Sequence, residues 1–339
     1  MPAAALRRPS EAASRVTPFA RAGVHADACG ALLFEPSGRA LIDFHNQGGA
    51  VRICHGHPYI EHAADGDGDA MLDRAAIAER LCDMSVRADS VRFERDPVSA
   101  YAFAVERAER ATRKTGVATV ADVMTDPRRT PEVAAVVIDP LADGVTPALA
   151  RAARMMADRA DAVLILDERR SAFRCARGGG ETLLGVPADM IVYGRSLANG
   201  RPLSAVCGPR AILDPAHAAP ELVSDAALAA AAATLRLMER EPVTTALRVR
   251  GAEVEAELEA MIASCGLSGR VAVAGDPAWS RLVFDADTDG ARQRDWRRSL
   301  YAHGVYSQGE QVMSYAHGDR EIAAFLDAAA QALTAIAEG

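Results

Sequence analysis

The chain has 339 residues, 50% of them hydrophobic, which is enough for a large domain and a smaller one with separate cores. Its formal net charge of -8 is scattered along the chain, so no basic surface is available for a nucleic-acid backbone and nucleic acid is excluded as a partner. There is no run of about 18 apolar residues to cross a membrane, and the six cysteines lack paired spacing, so we expect reduced thiols in the cytoplasm.

The first third of the chain predicts an N-terminal arm, a hairpin and two helices. The opening segment is rich in Ala, Arg and Ser but has no apolar stretch of the kind a leader peptide carries, so we expect a flexible arm. Residues 30–44 alternate apolar and polar side chains around a Pro-Ser-Gly turn at 36–38, which indicates a hairpin. Helical periodicity follows over about 72–84 and 98–113.

The rest of the chain predicts a parallel sheet followed by a smaller lobe. Short apolar runs at 133–138, 162–166 and 190–193 alternate with helical segments such as 147–160, a pattern typical of a parallel sheet covered on both faces. The predicted elements of the tail are helices at 225–239, 241–264, 290–303 and 319–337 and a strand at 281–285. We therefore divide the chain into an N-terminal arm and hairpin belonging to the small domain (1–60), a large domain (61–220) and a C-terminal α+β domain (221–339).

Two segments suggest metal sites that their spacing does not support. The loop 65–69 has aspartates at alternate positions, as a calcium loop begins, but Ala70 stands where a glycine is needed and Ala76 where a bidentate glutamate is needed. The histidines and cysteine at 54–57 have no second cluster at zinc spacing to complete four ligands. The sequence predicts no metal site.

The most informative stretch runs from residue 163 to residue 208. A buried strand brings Asp167 and Glu168 to its carboxyl end, where open α/β sheets place their ligand sites, and Gly194-Arg195 follows the next strand. An acid and a cation on neighbouring strand ends suit a flat polar ligand, while an ion pair that only borders the sheet is the alternative.

This stretch resembles the signature of the class III aminotransferases, which use pyridoxal phosphate (PLP), and most closely the glutamate-1-semialdehyde aminomutase branch. The matching residues are Asp167-Glu168, Phe173-Arg174, Gly178-Gly179, Gly185-Val186, Asp189, Gly194, Gly200, Pro202 and Gly208. Segments 38–44, 56–58 and 314–317 resemble the two ends of the family. The resemblance implies an α/β, fold-type I PLP-transferase architecture with a mainly parallel, seven-stranded-type sheet flanked by helices, a small α+β domain, and a dimer whose sites are built from both subunits.

The resemblance fails at the residue that the family's chemistry requires. Members of the family carry a lysine whose amine forms a Schiff base with the cofactor, and the matching position here is Arg195. A guanidinium stays protonated and offers no free amine. The chain has a single lysine, Lys114, which matches the far end of an N-terminal helix. The sequence therefore predicts no catalytic residue at this site.

The cofactor pocket departs from the family at further points. Asp96-Pro97-Val98 stands where relatives bind the phosphate at a helix start, and it adds a negative charge, removes an N–H and removes a hydroxyl. Arg169 replaces the family's valine beside the ring, and the segment from Val120 to Glu132 is too short for the family's aromatic element. Asp167, which pairs with the pyridine nitrogen in relatives, is the one cofactor contact that carries over. We therefore expect no cofactor, with noncovalent PLP or pyridoxamine phosphate as the alternative.

Three functions remain open. The first is a noncatalytic pseudoenzyme that keeps the dimerising fold and acts as a partner or scaffold, as a homodimer or as a heterodimer with an active homologue. The second is a repurposed site in which Arg169, Arg174 and Arg195 bind a small anionic metabolite, a task suited to the planar fork of arginine. The third is a transaminase or aminomutase that uses PLP or pyridoxamine phosphate without a covalent link.

Overall fold

The computed structural model describes residues 27–66, 74–126, 128, 132–214, 223–285, 287 and 290–338. The predicted N-terminal arm, two of the aspartates in the acidic loop and the start of the helix predicted at 72–84 lie outside these residues. No helix in the described part of the chain combines the length and the apolar character needed to cross a membrane. All six cysteines are free thiols.

The helices and strands follow one another along the chain in three groups. The first comprises β1 (Asp27–Cys29), β2 (Leu32–Phe34), β3 (Ala40–Asp43), the short turn α1 (Asn46–Gly49), α2 (Pro58–Ala64), α3 (Arg74–Asp83), β4 (Ser90–Glu94), α4 (Pro97–Thr112), β5 (Val117–Ala118) and α5 (Val120–Thr125). The second comprises β6 (Ala135–Ile138), α6 (Pro147–Ala160), β7 (Val163–Glu168), α7 (Gly179–Leu184), β8 (Met190–Tyr193), a 3₁₀ turn (Arg195–Ala198), β9 (Ser204–Gly208) and α8 (Arg210–Leu213). The third comprises α9 (Asp225–Arg240), α10 (Val243–Ser264), β10 (Val271–Asp276), β11 (Trp279–Phe284), α11 (Ala291–Ala302), β12 (Val305–Tyr306), β13 (Glu310–Val312) and α12 (Asp319–Glu338).

The central sheet is mainly parallel, as the sequence predicts. Its strand order is β4-β9-β8-β7-β6-β5, and β5, β6, β7 and β8 run parallel to one another while β9 runs against both of its neighbours. Parallel strands end at the same edge of a sheet, so the residues that follow β6, β7 and β8 lie side by side.

The described sheet has six strands, whereas the resemblance implies a seven-stranded type. Residues 119–134, which connect β5 to β6, include α5 and no further strand among those described. This connection holds a short helix, whereas an added parallel strand would need a second crossover of a dozen or more residues. The short β5 is therefore the edge of the sheet.

Helices cover both faces of this sheet. Along β6, Val136 and Ile138 face a core that includes Met156 of α6, while Val137 faces a second core with Ala104 of α4. Alternate residues of a strand point to opposite faces, so a strand buried on both sides must be apolar throughout. This explains why β6 and β8 read as continuous apolar runs in the sequence.

Two smaller sheets surround the large one. β2 and β3 form the predicted hairpin, in which Leu32 lies opposite Ile42 and Gly38 takes the positive φ of 86° that the turn requires. β12 pairs in parallel with β3, so residues from the two ends of the chain share one sheet. β10, β11 and β13 form a third, antiparallel sheet. The division into domains at 60 and 220 stays a prediction.

Candidate functional site

The structure places the acidic pair of the sequence motif at the carboxyl edge of the central sheet. All six residues of β7 are buried, and the strand ends with Asp167 and Glu168. Side chains alternate along a strand, so these two carboxylates point to opposite faces. Asp167 lines a cavity at the sheet edge, and Glu168 lies in the protein interior.

Asp167 is held by the arginine that follows it closely in sequence. The Arg169 guanidinium donates from Nε to Oδ1 at 2.7 Å and from Nη2 to Oδ2 at 2.6 Å. Its Cζ lies 4.5 Å from the centroid of the Tyr101 ring. The hydrogen bonds to Asp167 raise the pKa of Arg169, which favours the charged guanidinium. Both oxygens of the carboxylate are engaged by a residue of the same chain.

The start of α4 is closed by a carboxylate of the chain itself. Asp96 caps the helix, and its Oδ1 accepts from the backbone N–H groups of Val98 and Ser99, each at 2.9 Å. These bonds, with that of Ser99 contributing most, lower the pKa of Asp96. Pro97 has no N–H to offer. The free N–H groups that make a helix start attractive to anions are therefore already used.

Arg195 follows β8 after one intervening residue and takes the first position of the 3₁₀ turn. The preceding Gly194 allows close chain packing, because a Cβ there would lie 2.3 Å from the carbonyl oxygen of Arg169. Burial lowers the pKa of Arg195, and the charge of Asp96 acts in the opposite direction. Arg195 and Asp96 therefore belong to one electrostatic cluster.

These residues surround a cavity of about 300 Å³ at the carboxyl ends of β6, β7 and β8. The lining residues are Gly48, Ala50, Pro97, Asp139, Asp167, Arg169, Arg170 and Arg195. Sequence reasoning missed the two charged residues Arg170 and Asp139, as well as Gly48 and Ala50. Arg170 and Asp139 form a second ion pair, with Nη2 at 2.7 Å from Oδ2. Their positions after β7 and β6 were a usable signal, since both strands end at the same edge.

Arg174, the third predicted pocket residue, does not line this cavity. Its side chain is fully buried, donating to the carbonyl oxygens of Met313 and Gly49, and its Cζ lies 5.4 Å from the Trp279 ring centroid. Burial lowers the pKa of Arg174 to about 10. The turn after β7 includes Phe173 at a positive φ of 57°, which redirects the chain, and Arg174 bonds to backbone carbonyls in the interior.

The only lysine of the chain lies at the opposite end of α4 from the cavity. Pro97, which begins α4, lines the cavity, whereas Lys114 follows the end of this 16-residue helix, about 24 Å away along its axis. The Lys114 Nζ donates to the carbonyl oxygens of Ala160 and Asp161. None of the described residues that line the cavity is a lysine.

Glu168 is a buried acid whose pKa is shifted to the neutral range. Burial raises its pKa to about 7, while the nearby backbone N–H of Gly180 and the charge of Arg52 act in the opposite direction. The carboxylate packs against Gly179 and Gly180, where a Cβ would lie 2.7 Å and 3.2 Å from Oε1. The two glycines therefore make room for this carboxylate.

We expect Glu168 to make the protein less stable as the pH rises. A carboxyl with a raised pKa binds its proton more tightly in the folded state, so its contribution to stability is complete below about pH 4.5 and is lost as the pH passes about 7. Relative to Glu168→Gln, the free energy of unfolding of the natural chain should fall by about 3 kcal/mol between about pH 4.5 and about pH 8. Urea unfolding of both proteins across this range measures the difference, and parallel pH profiles would contradict the prediction.

Comparison with known proteins adds three findings. The sequence model of the family described as aminotransferase class-III matches residues 85–317. The 3-aminobutyryl-CoA aminotransferase of Cloacimonas acidaminovorans is 26% identical over 200 residues, which cover 56% of this chain and 48% of that protein, so this chain matches about half of that relative's length. The glutamate-1-semialdehyde 2,1-aminomutase of Nitratidesulfovibrio vulgaris is 26% identical over 383 residues, covering 90% of each chain.

Solved structures give the same fold. The FumI protein of Sphingopyxis sp. MTA144, solved as its PLP internal aldimine form, superposes with a TM-score of 0.81 at 22% identity and covers 97% of this chain and 92% of that one. The prediction that no cofactor belongs to this protein is wrong, because the family match and the PLP-bound structural neighbours point to PLP. The predicted fold class is confirmed.

Proposed function

Because this chain belongs to the class III aminotransferase family, we propose that it keeps the family's fold and the cavity at the edge of the sheet. In this proposal the cavity binds a small anion noncovalently and performs no amine transfer of the kind that requires a lysine. The observation that carries the proposal is the lining of the cavity, which presents three guanidinium groups and, among the described residues, no lysine. A guanidinium cannot act as the amine of a Schiff base, whereas its planar fork binds carboxylates and phosphates well.

The residues of this cavity do not fit PLP held by a lysine. The position of the lysine holds Arg195, and both oxygens of Asp167 accept from Arg169. The first N–H groups of α4 donate to the Asp96 carboxylate. The donor set fits instead a phosphate or carboxylate held only by hydrogen bonds and charge. PLP, the cofactor to which the family points, is such an anion, and we propose that it binds in this cavity without a covalent link.

The arrangement of charges selects the part of the cavity that receives the anion. Arg169 is committed to Asp167 through both oxygens, while Arg170 meets only Oδ2 of Asp139. Arg170 can therefore offer a donor to a ligand, Arg195 adds a positive charge, and together the lining residues comprise three cations and two carboxylates. An anion brings this set of charges close to balance, which supports binding.

We extend the proposal to assembly as a dimer, which is the state the resemblance implies. Val98, which follows the cavity residue Pro97, is a 71% exposed apolar side chain, so the surface beside the cavity carries an apolar group that a partner could cover. A second subunit that covers this surface would also shield the cavity from water and strengthen its electrostatic interactions. The mass of the purified assembly tests whether the second subunit is a copy of this chain or a homologue.

We expect inorganic phosphate and PLP to raise the melting temperature of the natural chain. Arg195→Ala should weaken both effects by roughly tenfold or more, because hydrogen bonds to a charged partner contribute about 1.5 to 3 kcal/mol. Arg151→Ala, which removes an equal charge from an exposed position of α6, is the matched control and should leave both effects unchanged. Thermal shift and calorimetric titration measure the constants.

Two results would overturn this function. One is the absence of anion-dependent stabilisation in the natural chain. The other is amine transfer from amino donors to keto-acid or semialdehyde acceptors that is lost in Arg195→Ala, since the proposal assigns no such turnover to this site.

A further inference from the structure

Three groups surround the Arg169 guanidinium in the manner of a receptor for a flat cation. The Asp167 carboxylate accepts two parallel hydrogen bonds in the guanidinium plane, at 2.7 Å and 2.6 Å. The Tyr101 ring lies 4.5 Å from Cζ, and the carbonyl oxygen of Pro97 lies 3.4 Å from Nη1. A carboxylate fork, an aromatic face and a carbonyl together recognise both the shape and the charge of a planar cation.

The carboxylate of this set is more deeply buried than the guanidinium. The Asp167 side chain is 10% exposed and the Arg169 side chain 30% exposed. Burial and the charge of Asp167 raise the pKa of Tyr101, which keeps the phenol neutral beside the pair. The three groups that surround the guanidinium are thus held by β7 and α4, whereas Arg169 lies in the turn after β7.

The next residue, Arg170, is not surrounded in the way that Arg169 is. Arg170 also pairs with a carboxylate of the cavity, but both of its donors meet the single oxygen Oδ2 of Asp139. Its side chain is 41% exposed, and its Cζ lies 5.6 Å from the nearest ring centroid, that of Trp279. Arg170 therefore provides a matched comparison of the same residue type at the next position.

We infer that Asp167, Tyr101 and the Pro97 carbonyl form a binding site for a flat cation, and that Arg169 fills this site as an internal ligand. A flat external cation then enters only when the Arg169 side chain leaves. In the natural chain the tethered guanidinium has an effective concentration in the millimolar range or above, so dilute external cations do not displace it. The inference concerns the cavity of the proposed function but does not require that an anion binds there.

The test removes the internal ligand and supplies it from solution. In Arg169→Ala, ethylguanidinium in the millimolar range should raise the melting temperature, by on the order of 2 °C at ten times its dissociation constant. Ethylammonium, which carries the same charge without the plane, should have at least tenfold weaker effect. The natural chain and Arg170→Ala should respond to neither ion, and Arg169→Ala with Asp167→Asn should lose the response.

The possible outcomes separate this inference from the proposed function. Equal responses to the two ions, a response in Arg170→Ala, or no response in a folded Arg169→Ala would each overturn the inference. If Arg169→Ala does not fold, Arg169→Gln takes its place, because glutamine keeps much of the side-chain volume without the cation. Phosphate binding is measured in the natural chain and in Arg195→Ala, which both keep Arg169 and Arg170, so its presence and its loss there report on the proposed function alone.

Discussion

Arg195→Lys, made in a chain that also carries Lys114→Arg, should form a covalent pyridoxyl adduct after PLP and borohydride treatment, whereas Lys114→Arg alone should form none in the cavity. The double substitution leaves the new amine as the single lysine of the protein, because Lys114 is the only lysine of the natural chain. Arg195 lines the cavity and is partly desolvated, so an amine there would have a lowered pKa and be more reactive.

In the chain that carries Arg195→Lys and Lys114→Arg, a further Arg169→Val substitution should tighten PLP binding by about tenfold or more. The reason is that it releases both oxygens of Asp167. Absorbance titration gives the affinity, and mass mapping of the reduced protein locates the adduct. An adduct confined to the N-terminal amine in the variants with the new lysine would show that the cavity does not admit the cofactor. An adduct in the cavity of Lys114→Arg alone would contradict the assignment of Arg195.

Gly251→Ala should be among the most destabilising single substitutions in the protein. Gly251 lies in α10 against the turn between β10 and β11, and an added Cβ would lie 1.8 Å from the carbonyl oxygen of Pro277 and 2.4 Å from its carbonyl carbon. This turn is held by Asp276, which accepts from Ala278 N at 2.9 Å and from Arg248 at 2.7 Å. Backbone fixed in this way cannot yield easily, so we expect a loss of about 3 kcal/mol or more in the free energy of unfolding.

Helix propensity alone predicts the opposite sign for this substitution, a gain of about 1 kcal/mol from Gly to Ala. Glu253→Ala on the exposed side of the same helix is the control and should change the free energy of unfolding by less than about 0.5 kcal/mol. Chemical denaturation of the three proteins decides between packing and propensity, and a stabilised Gly251→Ala would refute the close contact.

The sequence predicts an element well where one face of it carries a regular apolar pattern. α6 and β8 have the predicted bounds, because a strong helical period marks the first and a continuous buried run marks the second. β4 was missed since only one of its five residues is fully buried, and β9 was missed because a short strand that begins with Ser resembles a loop. A short strand forms because it pairs with its neighbours in the sheet, and its own sequence does not show this pairing.

The site was predicted in part for a similar reason. The motif gave the positions of Asp167 and Arg195, since Asp167 lies in the last two residues of β7, Arg195 lies shortly after β8, and both strands end at one edge of the sheet. It could not separate Arg169 from Arg174, because the direction of a side chain after a turn depends on the tertiary contacts that fix the turn. The ion pair of Arg170 with Asp139 joins two strands and has no signature in either one. A cytoplasmic location and a dimeric state stay predictions.

The pairing of Asp167 with Arg169 also bears on the order in which this site changed. An acid with 10% exposure and no counter-ion would be costly, since removing one partner of a buried ion pair destabilises a protein by about 3 to 5 kcal/mol. Once Arg169 is present, neither residue can be replaced alone without this penalty. The two residues would then be retained together. An aspartate at this position can therefore be present because it balances the charge of Arg169 rather than because it binds a cofactor.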